Sequence, residues 1–264
     1  MSASSDAPVT KRMVAVAGKG GTGKTACVAM MTRVLAESGA GGKLLLIDAD
    51  PAGGLQSALG VKVRRTMGEV REAVIRTAKG DDQQAKAELA DKIEYLALEA
   101  LTESDGFALL AMGRTETMGC YCPVNSLLRS AIASLSKSFD TILIDGEAGL
   151  EQVNRQVVKK LDALLVVSDP TARGIETAAM IKHMVEVEKA MSCDRLGLVF
   201  NRVQGNRRAL EESAEKIGMD VFGMIPYDEN VADFDFHGKP ITGLPDDSPS
   251  VAAYREVIAK HVVA

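Results

Sequence analysis

Residues 18–25 read Gly-Lys-Gly-Gly-Thr-Gly-Lys-Thr, and they follow the apolar run Met-Val-Ala-Val-Ala at 13–17. The octet fits the pattern G-x-x-x-x-G-K-[ST] through Gly18, Gly23, Lys24 and Thr25. Glycines allow positive φ angles and keep Cβ atoms out of the loop, so that successive N–H groups can face one concavity that holds an anion. A helix, predicted over 26–37, adds its positive N-terminal end. The octet therefore predicts a phosphate-binding loop between a buried strand and a helix.

Such a loop predicts a nucleoside triphosphate as the ligand. The Lys24 ammonium would reach the β- and γ-phosphates as a catalytic group, and the Thr25 hydroxyl would be a ligand of Mg²⁺. A second lysine, Lys19, directly follows the first glycine of the octet. The residues expected to contact the nucleotide here are Gly18, Lys19, Gly20, Gly21, Thr22, Gly23, Lys24, Thr25 and Ala26.

The composition sets broad limits on the organisation of the chain. Its 264 residues suit one large domain, predicted over 12–264, after a disordered tail over 1–11 that lacks the apolar core of a signal peptide. The formal charge of −5 argues against broad nucleic-acid binding. No segment approaches the roughly 18 apolar residues of a membrane span. We expect a cytoplasmic protein without a nucleic-acid or membrane partner, in which the four cysteines are reduced thiols.

Apolar runs alternate with helical patterns along the remaining sequence. This order predicts an α/β protein: a single-domain P-loop NTPase fold with a mostly parallel central sheet and helices on both faces. Further strands are predicted at 43–48, 141–145, 163–168, 196–201 and 221–225, with 93–98 as an additional one. Further helices are predicted at 124–137, 174–191, 207–217 and 250–262. The ligand should lie at the carboxyl ends of the strands.

Two of the predicted strands end in acids. Asp145 closes a Walker B-like strand, where its carboxylate could hold a Mg²⁺-bound water, and the segment 146–149 that follows suits a mobile switch loop. Asp48 and Asp50 lie two residues apart at the end of another strand, so extended backbone would turn both to one side. One could lie near Mg²⁺ while the other orients the attacking water. Either acid could instead cap the next helix.

With Lys19 and these acids, nearly the whole chain from Arg12 onwards resembles the deviant Walker A ATPases, the family of MinD, ParA, the nitrogenase iron protein and metal-cluster maturation factors. The resemblance implies ATP and ADP as cofactors with Mg²⁺, and slow ATP hydrolysis that depends on a homodimer. In that family the lysine at the position of Lys19 reaches the partner's nucleotide, as an arginine finger does. By the family pattern, Asp50 orients the water, and Asp48 remains near Mg²⁺.

The resemblance also extends to the side of the site that would hold the base. Asn201, within Phe-Asn-Arg-Val, matches an asparagine that contacts adenine in the family, and Arg202 follows it. Pro226 and Tyr227, within Ile-Pro-Tyr, match the loop beside the base. The resemblance therefore implies that these four residues contact the nucleotide.

A second informative segment is Gly-Cys-Tyr-Cys-Pro-Val-Asn at 119–125. The thiols of Cys120 and Cys122 are poorly spaced for a disulfide with each other but can face one side, which favours a soft or borderline metal ion. A twofold dimer would bring two such pairs together, and the four thiolates could hold Zn²⁺ tetrahedrally or Ni²⁺ in a square plane. The alternative is that both are structural cysteines near a helix start.

Together with the octet, the cysteine segment resembles the CooC and AcsF group of nickel-insertion ATPases. This resemblance implies a homodimer promoted by nucleotide and metal, and a client nickel enzyme, either carbon monoxide dehydrogenase or acetyl-CoA synthase. The alternative is a MinD- or ParA-type nucleotide switch that positions a partner, a membrane or DNA without a metal role. A switch that binds nucleotide with negligible hydrolysis is a further alternative.

Overall fold

The computed structural model describes residues 11–79, 95–114, 122–146 and 160–263. Within these ranges eight strands form one sheet in the order β3-β4-β2-β5-β1-β6-β7-β8. Every neighbouring pair is parallel except β3 and β4. The strands are β1 Arg12–Ala17, β2 Leu44–Asp48, β3 Leu101–Ser104, β4 Phe107–Ala111, β5 Thr141–Asp145, β6 Lys160–Ser168, β7 Ser192–Val203 and β8 Asp220–Pro226.

Helices cover both faces of this sheet, as predicted. The core on one face includes residues of α1, α2 and α8, and the core on the other includes residues of α3, α4, α5 and α6. The labelled helices are α1 Lys24–Ser38, α2 Leu55–Leu59, α3 Met67–Lys79, α4 Cys122–Ser136, α5 Ala172–Glu186, α6 Arg207–Lys216, α7 Glu229–Phe236 and α8 Pro249–Ile258, which continues as a π-helical turn Ala259–Val263. Short helical segments also occur at 95–99 and at Ile241–Gly243. The α/β fold class is therefore confirmed.

The central strands are mostly apolar because both of their faces are buried. Along β1, Val14 and Val16 belong to one core, and Ala15 and Ala17 belong to the other. All residues of β2 and β5 are buried. The register of this pair places Asp48 opposite Asp145 at the carboxyl ends of the two strands. The sheet therefore brings both predicted acids to the edge where β1 leads into the glycine-rich loop.

The additional strand predicted at 93–98 is wrong, because residues 95–99 are helical. Ala97 and Ala100 are buried, whereas Tyr95 and Leu98 are 62% and 58% exposed. Burial at a spacing of three residues is a helical periodicity, and a strand would alternate every second residue. Because residues 93–98 are nearly all apolar, their sequence does not distinguish a helical period from a strand period.

The hairpin of β3 and β4 was not predicted. Ser104 pairs with Phe107 around a two-residue Asp-Gly turn, in which Gly106 has a φ of +83°. An Asp-Gly pair is a recognised hairpin signal, so the sequence did contain the information. The hairpin matters because β4 pairs with β2 in parallel and covers its edge.

Helix α5 is shorter than the predicted span 174–191, since it ends at Glu186. The N–H groups of Val187 and Glu188 both donate to the His183 carbonyl, and Lys189 then adopts a φ of +55°. This reversal directs the chain into β7.

Helices α3 and α7 were also not predicted.

Parts of the sequence-based description lie outside the described residues, including residues 1–10 of the predicted tail and residues 147–149 of the predicted switch loop. Lys11 is described, and its ammonium donates a hydrogen bond to the Lys137 carbonyl at 2.6 Å. In the described part of the chain, none of the helices combines the length and apolar composition needed to cross a membrane.

Candidate functional site

The glycine-rich loop connects β1 to α1 at the carboxyl edge of the sheet. Two of its glycines are required by their neighbours. Gly18 has a φ of +142°, and a Cβ atom there would lie 2.1 Å from the Val167 carbonyl oxygen. Gly23 has a φ of +91°, and a Cβ atom there would lie 2.3 Å from Asn201 Nδ2. Larger residues would displace the loop from β6 and β7, so these glycines set its position.

Hydrogen bonds inside the loop link Thr22 and Lys24 to the backbone of Lys19. The buried Thr22 hydroxyl donates to the Lys19 carbonyl at 2.9 Å, and the Lys24 ammonium donates to the same carbonyl at 3.3 Å. An added Cβ at Gly20 or Gly21 would meet no described atom within 4 Å. The loop therefore has one packed side and one open side.

The Lys19 ammonium is directed towards its own chain. It lies 3.5 Å from a carboxylate oxygen of Asp169, which follows β6 directly. The other Asp169 oxygen accepts a hydrogen bond from the Thr171 hydroxyl at 2.7 Å. Thr171 in turn caps α5 by accepting the Gly174 N–H. Asp169 belongs to none of the motifs found in the sequence, so its role was not predicted.

The most unusual electrostatic feature is the Asp145 carboxylate. It is 1% exposed, and neither oxygen has a hydrogen-bond partner among the described residues. Burial raises the pKa of Asp145 to about 7, and the nearby Thr25 hydroxyl and Lys24 ammonium only partly oppose this change. The Asp48 carboxylate adds to the increase. Buried polar atoms in folded proteins nearly always have partners, so this carboxylate is suited to a ligand.

Asp48 is equally buried but has two backbone partners. Its oxygens accept the N–H groups of Asp50 and Leu55, each at 3.2 Å. Burial raises the pKa of Asp48 to about 6, although these two hydrogen bonds favour the ionised form. Leu55 is the first residue of α2, so Asp48 contacts the start of that helix, whose N-cap is Gly54 without a side-chain cap.

Asp50 is half-buried and begins the turn that leads to α2. Its carboxylate accepts the Ala52 N–H at 2.8 Å, and its carbonyl accepts the Gly53 N–H at 3.0 Å. The side chain is thus held by one backbone group while part of it remains exposed to solvent. The first N–H of α2, that of Leu55, is bound by Asp48 and not by Asp50.

A cleft of about 380 Å³ adjoins the loop, between the start of α1, the ends of β7 and β8, and α7. The structure brings into it six of the predicted nucleotide contacts: Gly23, Ala26, Asn201, Arg202, Pro226 and Tyr227. It also contains Ile225 of the Ile-Pro-Tyr segment. It adds residues that were not predicted from the sequence, namely Met30, Asp228, Val231, Ala232, Asp235, Phe236, Ile241, Ser250 and Tyr254. An Asp N-cap followed by Glu229 signals the start of α7 and could have identified this wall.

The predicted metal-binding cysteines lie largely beyond the described residues. Cys120 is outside them, and of Cys122 only the backbone is described, at the start of α4. Over the ranges given above, no group of three or more His, Cys, Asp or Glu side chains is arranged to hold a metal ion. Burial raises the pKa of the Cys27 thiol to about 12, consistent with a packing role for that residue.

The fold and the loop together define a P-loop nucleotide-binding protein. Residues 13–241 match the model of the CobQ/CobB/MinD/ParA nucleotide binding domain, so the chain belongs to this family of P-loop ATPases. The family that the sequence resembles is therefore confirmed.

Individual relatives agree with this assignment. The chain is 33% identical over 249 residues to an uncharacterised ATP-binding protein of Methanocaldococcus jannaschii, covering 94% of this chain and 97% of that one. It is 29% identical over 240 residues to the carbon monoxide dehydrogenase accessory protein CooC of Rhodospirillum rubrum, covering 83% and 84%. Among solved structures, the septum site-determining protein MinD of Pyrococcus horikoshii, complexed with Mg-ADP, is 22% identical with a TM-score of 0.69, covering 95% and 96%. At this level of identity, the similarity to MinD shows a shared fold.

Proposed function

We propose that this protein hydrolyses ATP to ADP and phosphate in the loop at residues 18–25. The observation that carries this proposal is the buried carboxylate of Asp145, which lies close to Thr25 and Lys24 and whose oxygens accept no hydrogen bond from the described part of the chain. An unpaired buried carboxylate costs free energy, and a divalent cation would remove that cost. The oxygens of Thr25, Asp48 and Asp145 are the hard ligands that Mg²⁺ prefers, so the residues fit this ion.

The remaining residues of the site have complementary roles in this proposal. The loop N–H groups and Lys24 bind the phosphates, and Asp50 orients the attacking water. The cleft lined by Asn201, Arg202, Pro226 and Tyr227 receives the base. Bound Mg²⁺ would neutralise developing charge on the phosphates.

Two copies of the chain act together in the proposed reaction. Lys19 lies on the exposed rim of the loop, 35% exposed, where it can leave Asp169 and enter the site of a second protomer. The positive charge of Lys19 would then reach the transferring phosphate only in the homodimer, which makes hydrolysis slow in the monomer.

We further propose that the ATPase inserts nickel into a client enzyme. Support comes from the similarity to CooC over 83% of this chain and from the Cys120-x-Cys122 spacing. Two thiol pairs that meet at the dimer axis would hold one Ni²⁺ or Zn²⁺ as cargo. The client is an enzyme of the carbon monoxide dehydrogenase or acetyl-CoA synthase class.

The two parts of the proposal are linked through the dimer. If metal binding favours the closed dimer, the closed dimer must bind metal more tightly by the same factor. Hydrolysis opens the dimer, and the cargo then leaves a weakened thiolate site. The protein would therefore couple ATP turnover to metal release.

Phosphate release measured with and without Mg²⁺ tests the ATPase. We expect Mg²⁺-dependent turnover that rises with protein concentration, because dimerisation is required. Lys24→Ala should abolish turnover, whereas Lys43→Ala, which lies away from the loop, should leave it unchanged. Equal turnover in the parent and Lys24→Ala proteins would contradict the assignment.

Metal stoichiometry tests the nickel role. We expect one Ni²⁺ per dimer with ATP and weaker retention with ADP, measured by elemental analysis after gel filtration. The Cys120→Ala/Cys122→Ala variant should lose the metal, and Cys193→Ala should retain it as the matched control. An ATP-dependent dimer that binds no metal would instead support a MinD- or ParA-type switch.

A further inference from the structure

The carboxyl end of β7 is irregular where it passes the glycine-rich loop. The pairing of β7 with β8 shifts register between Phe200 and Val203. Inside that irregularity Arg202 adopts a φ of +57°, in the left-handed region that non-glycine residues rarely occupy. Such a conformation costs free energy and persists only where the surrounding structure holds it. The contacts of Asn201 and Arg202 identify what holds it.

The Asn201 amide group is hydrogen-bonded at both ends within the protein. Its Nδ2 donates to the Thr22 carbonyl at 2.8 Å, across 179 residues of sequence. Its Oδ1 accepts the Arg202 N–H at 3.0 Å. The side chain is only 8% exposed, although it lines the cleft. The amide nitrogen is therefore engaged by the loop, and the amide oxygen by the backbone of the next residue.

Arg202 and Gly23 extend the same contact. The Arg202 guanidinium donates to the Gly21 carbonyl at 3.3 Å. Asn201 Nδ2 also lies so close to Gly23 that any Cβ atom there would overlap it. Three consecutive loop residues thus contact this dipeptide.

We propose that Asn201 and Arg202 are positioning residues for the phosphate-binding loop, acting on its peptide planes in addition to lining the cleft that receives the base. In a planar trans peptide, the C=O and the following N–H point in opposite directions. Asn201 holds the Thr22 carbonyl, which turns the Gly23 N–H to the opposite side of the loop. Arg202 fixes the preceding plane through the Gly21 carbonyl. The strained backbone at Arg202 gives both side chains this reach.

This inference rests on the proposed function and makes a prediction that a base-contacting role does not. Inorganic tripolyphosphate has phosphates but no base, so it tests the loop alone. If Asn201 only contacts adenine, replacing it should weaken ATP and leave tripolyphosphate unaffected. If Asn201 positions the loop, the affinity for both ligands should fall.

The experiment is isothermal titration calorimetry with Mg²⁺ and either ATP or tripolyphosphate. We expect Asn201→Leu, which has a similar size but no donor, to weaken both ligands about tenfold, the usual worth of one such hydrogen bond. Asn201→Ala should do the same, and thermal unfolding identifies which of the two variants is folded. Tyr227→Ala, a cleft residue without a side-chain hydrogen bond to the loop, should weaken ATP alone.

Loss of ATP affinity with unchanged tripolyphosphate affinity in the Asn201 variants would overturn this inference and leave the ATPase proposal standing. Variants that bind both ligands as tightly as the parent would also overturn it. A parent protein that binds neither ligand would overturn the proposed function, and the inference with it.

Discussion

Lys19 Nζ lies 3.5 Å from Asp169 Oδ2, although 150 residues separate the two in the sequence. The contact forms because β1 and β6 are parallel neighbours, so that the segments following both strands emerge at the same edge. Asp169 is itself held by the Thr171 hydroxyl. In the proposed dimer, Lys19 must leave this acid to reach the partner's nucleotide. The ion pair therefore competes with dimer closure.

Asp169→Asn should promote ATP-dependent dimerisation. The side chains of this pair are 35% and 27% exposed, so solvent screens it and its worth is at most about 1 kcal/mol. Each of the two protomers gives up one such pair, so the protein concentration at half-dimerisation should fall by up to about thirtyfold. Sedimentation velocity would measure this shift, with Asp246→Asn, another surface ion-pair acid, as the control. Weaker dimerisation of Asp169→Asn would show that the contact assists the dimer.

Asp50→Asn should separate hydrolysis from binding. The amide oxygen of Asn can still accept the Ala52 N–H, so the turn should be retained. Loss of the charged acceptor should reduce turnover by about 10²–10⁴-fold with little change in ATP affinity. Asp105→Asn, in the distant β3–β4 turn, is the control. Undiminished phosphate release by Asp50→Asn would remove Asp50 from the catalytic group.

The stability of the metal-free protein should fall as the pH rises from about 4 to about 7. The folded protein raises the pKa of Asp145 to about 7, whereas an unfolded Asp has a pKa of about 3.9. In this window the folded state binds more protons, so raising the pH favours unfolding. The effect at pH 8 is on the order of a few kcal/mol.

Asp145→Asn isolates this contribution, because it removes the titrating group. Thermal unfolding in EDTA should show a smaller loss of stability between pH 5 and pH 8 for the variant than for the parent. Mg²⁺ with ADP should stabilise the parent and have much less effect on the variant. Identical pH slopes for the two proteins would mean that Asp145 is ionised normally in the fold.

Alanine substitutions at two glycines of the loop should differ strongly in their effect on stability. Gly18→Ala places a Cβ 2.1 Å from the Val167 carbonyl at a φ of +142°, so it should destabilise the protein by about 2 kcal/mol or more. At Gly20 an added Cβ meets no described atom within 4 Å, so Gly20→Ala should unfold at nearly the parent temperature. Equal unfolding temperatures for both variants would contradict this account of the loop.

Much of the site could be predicted because its residues belong to local patterns. The octet has the spacing that such a loop requires, and Asp48 and Asp145 end apolar runs that proved to be neighbouring strands. The helical segment 95–99 was predicted as a strand because its short apolar run carries no clear period. Helix α7 was not predicted because it lacks a strong apolar stripe, in keeping with the fact that none of its residues is fully buried.

By itself, the sequence determined that a phosphate-binding loop lies between a buried strand and a helix, since these features depend on neighbouring residues and on backbone preferences. Only the tertiary structure decided which distant groups surround that loop. The sheet order β5-β1-β6-β7 brings Asp145, Asp169 and Asn201 to it from three separate strand ends. That order depends on the packing of the whole chain, and no local spacing encodes it. The burial of the Asp145 carboxylate and the hydrogen bond from the Asn201 amide to the loop are consequences of this packing.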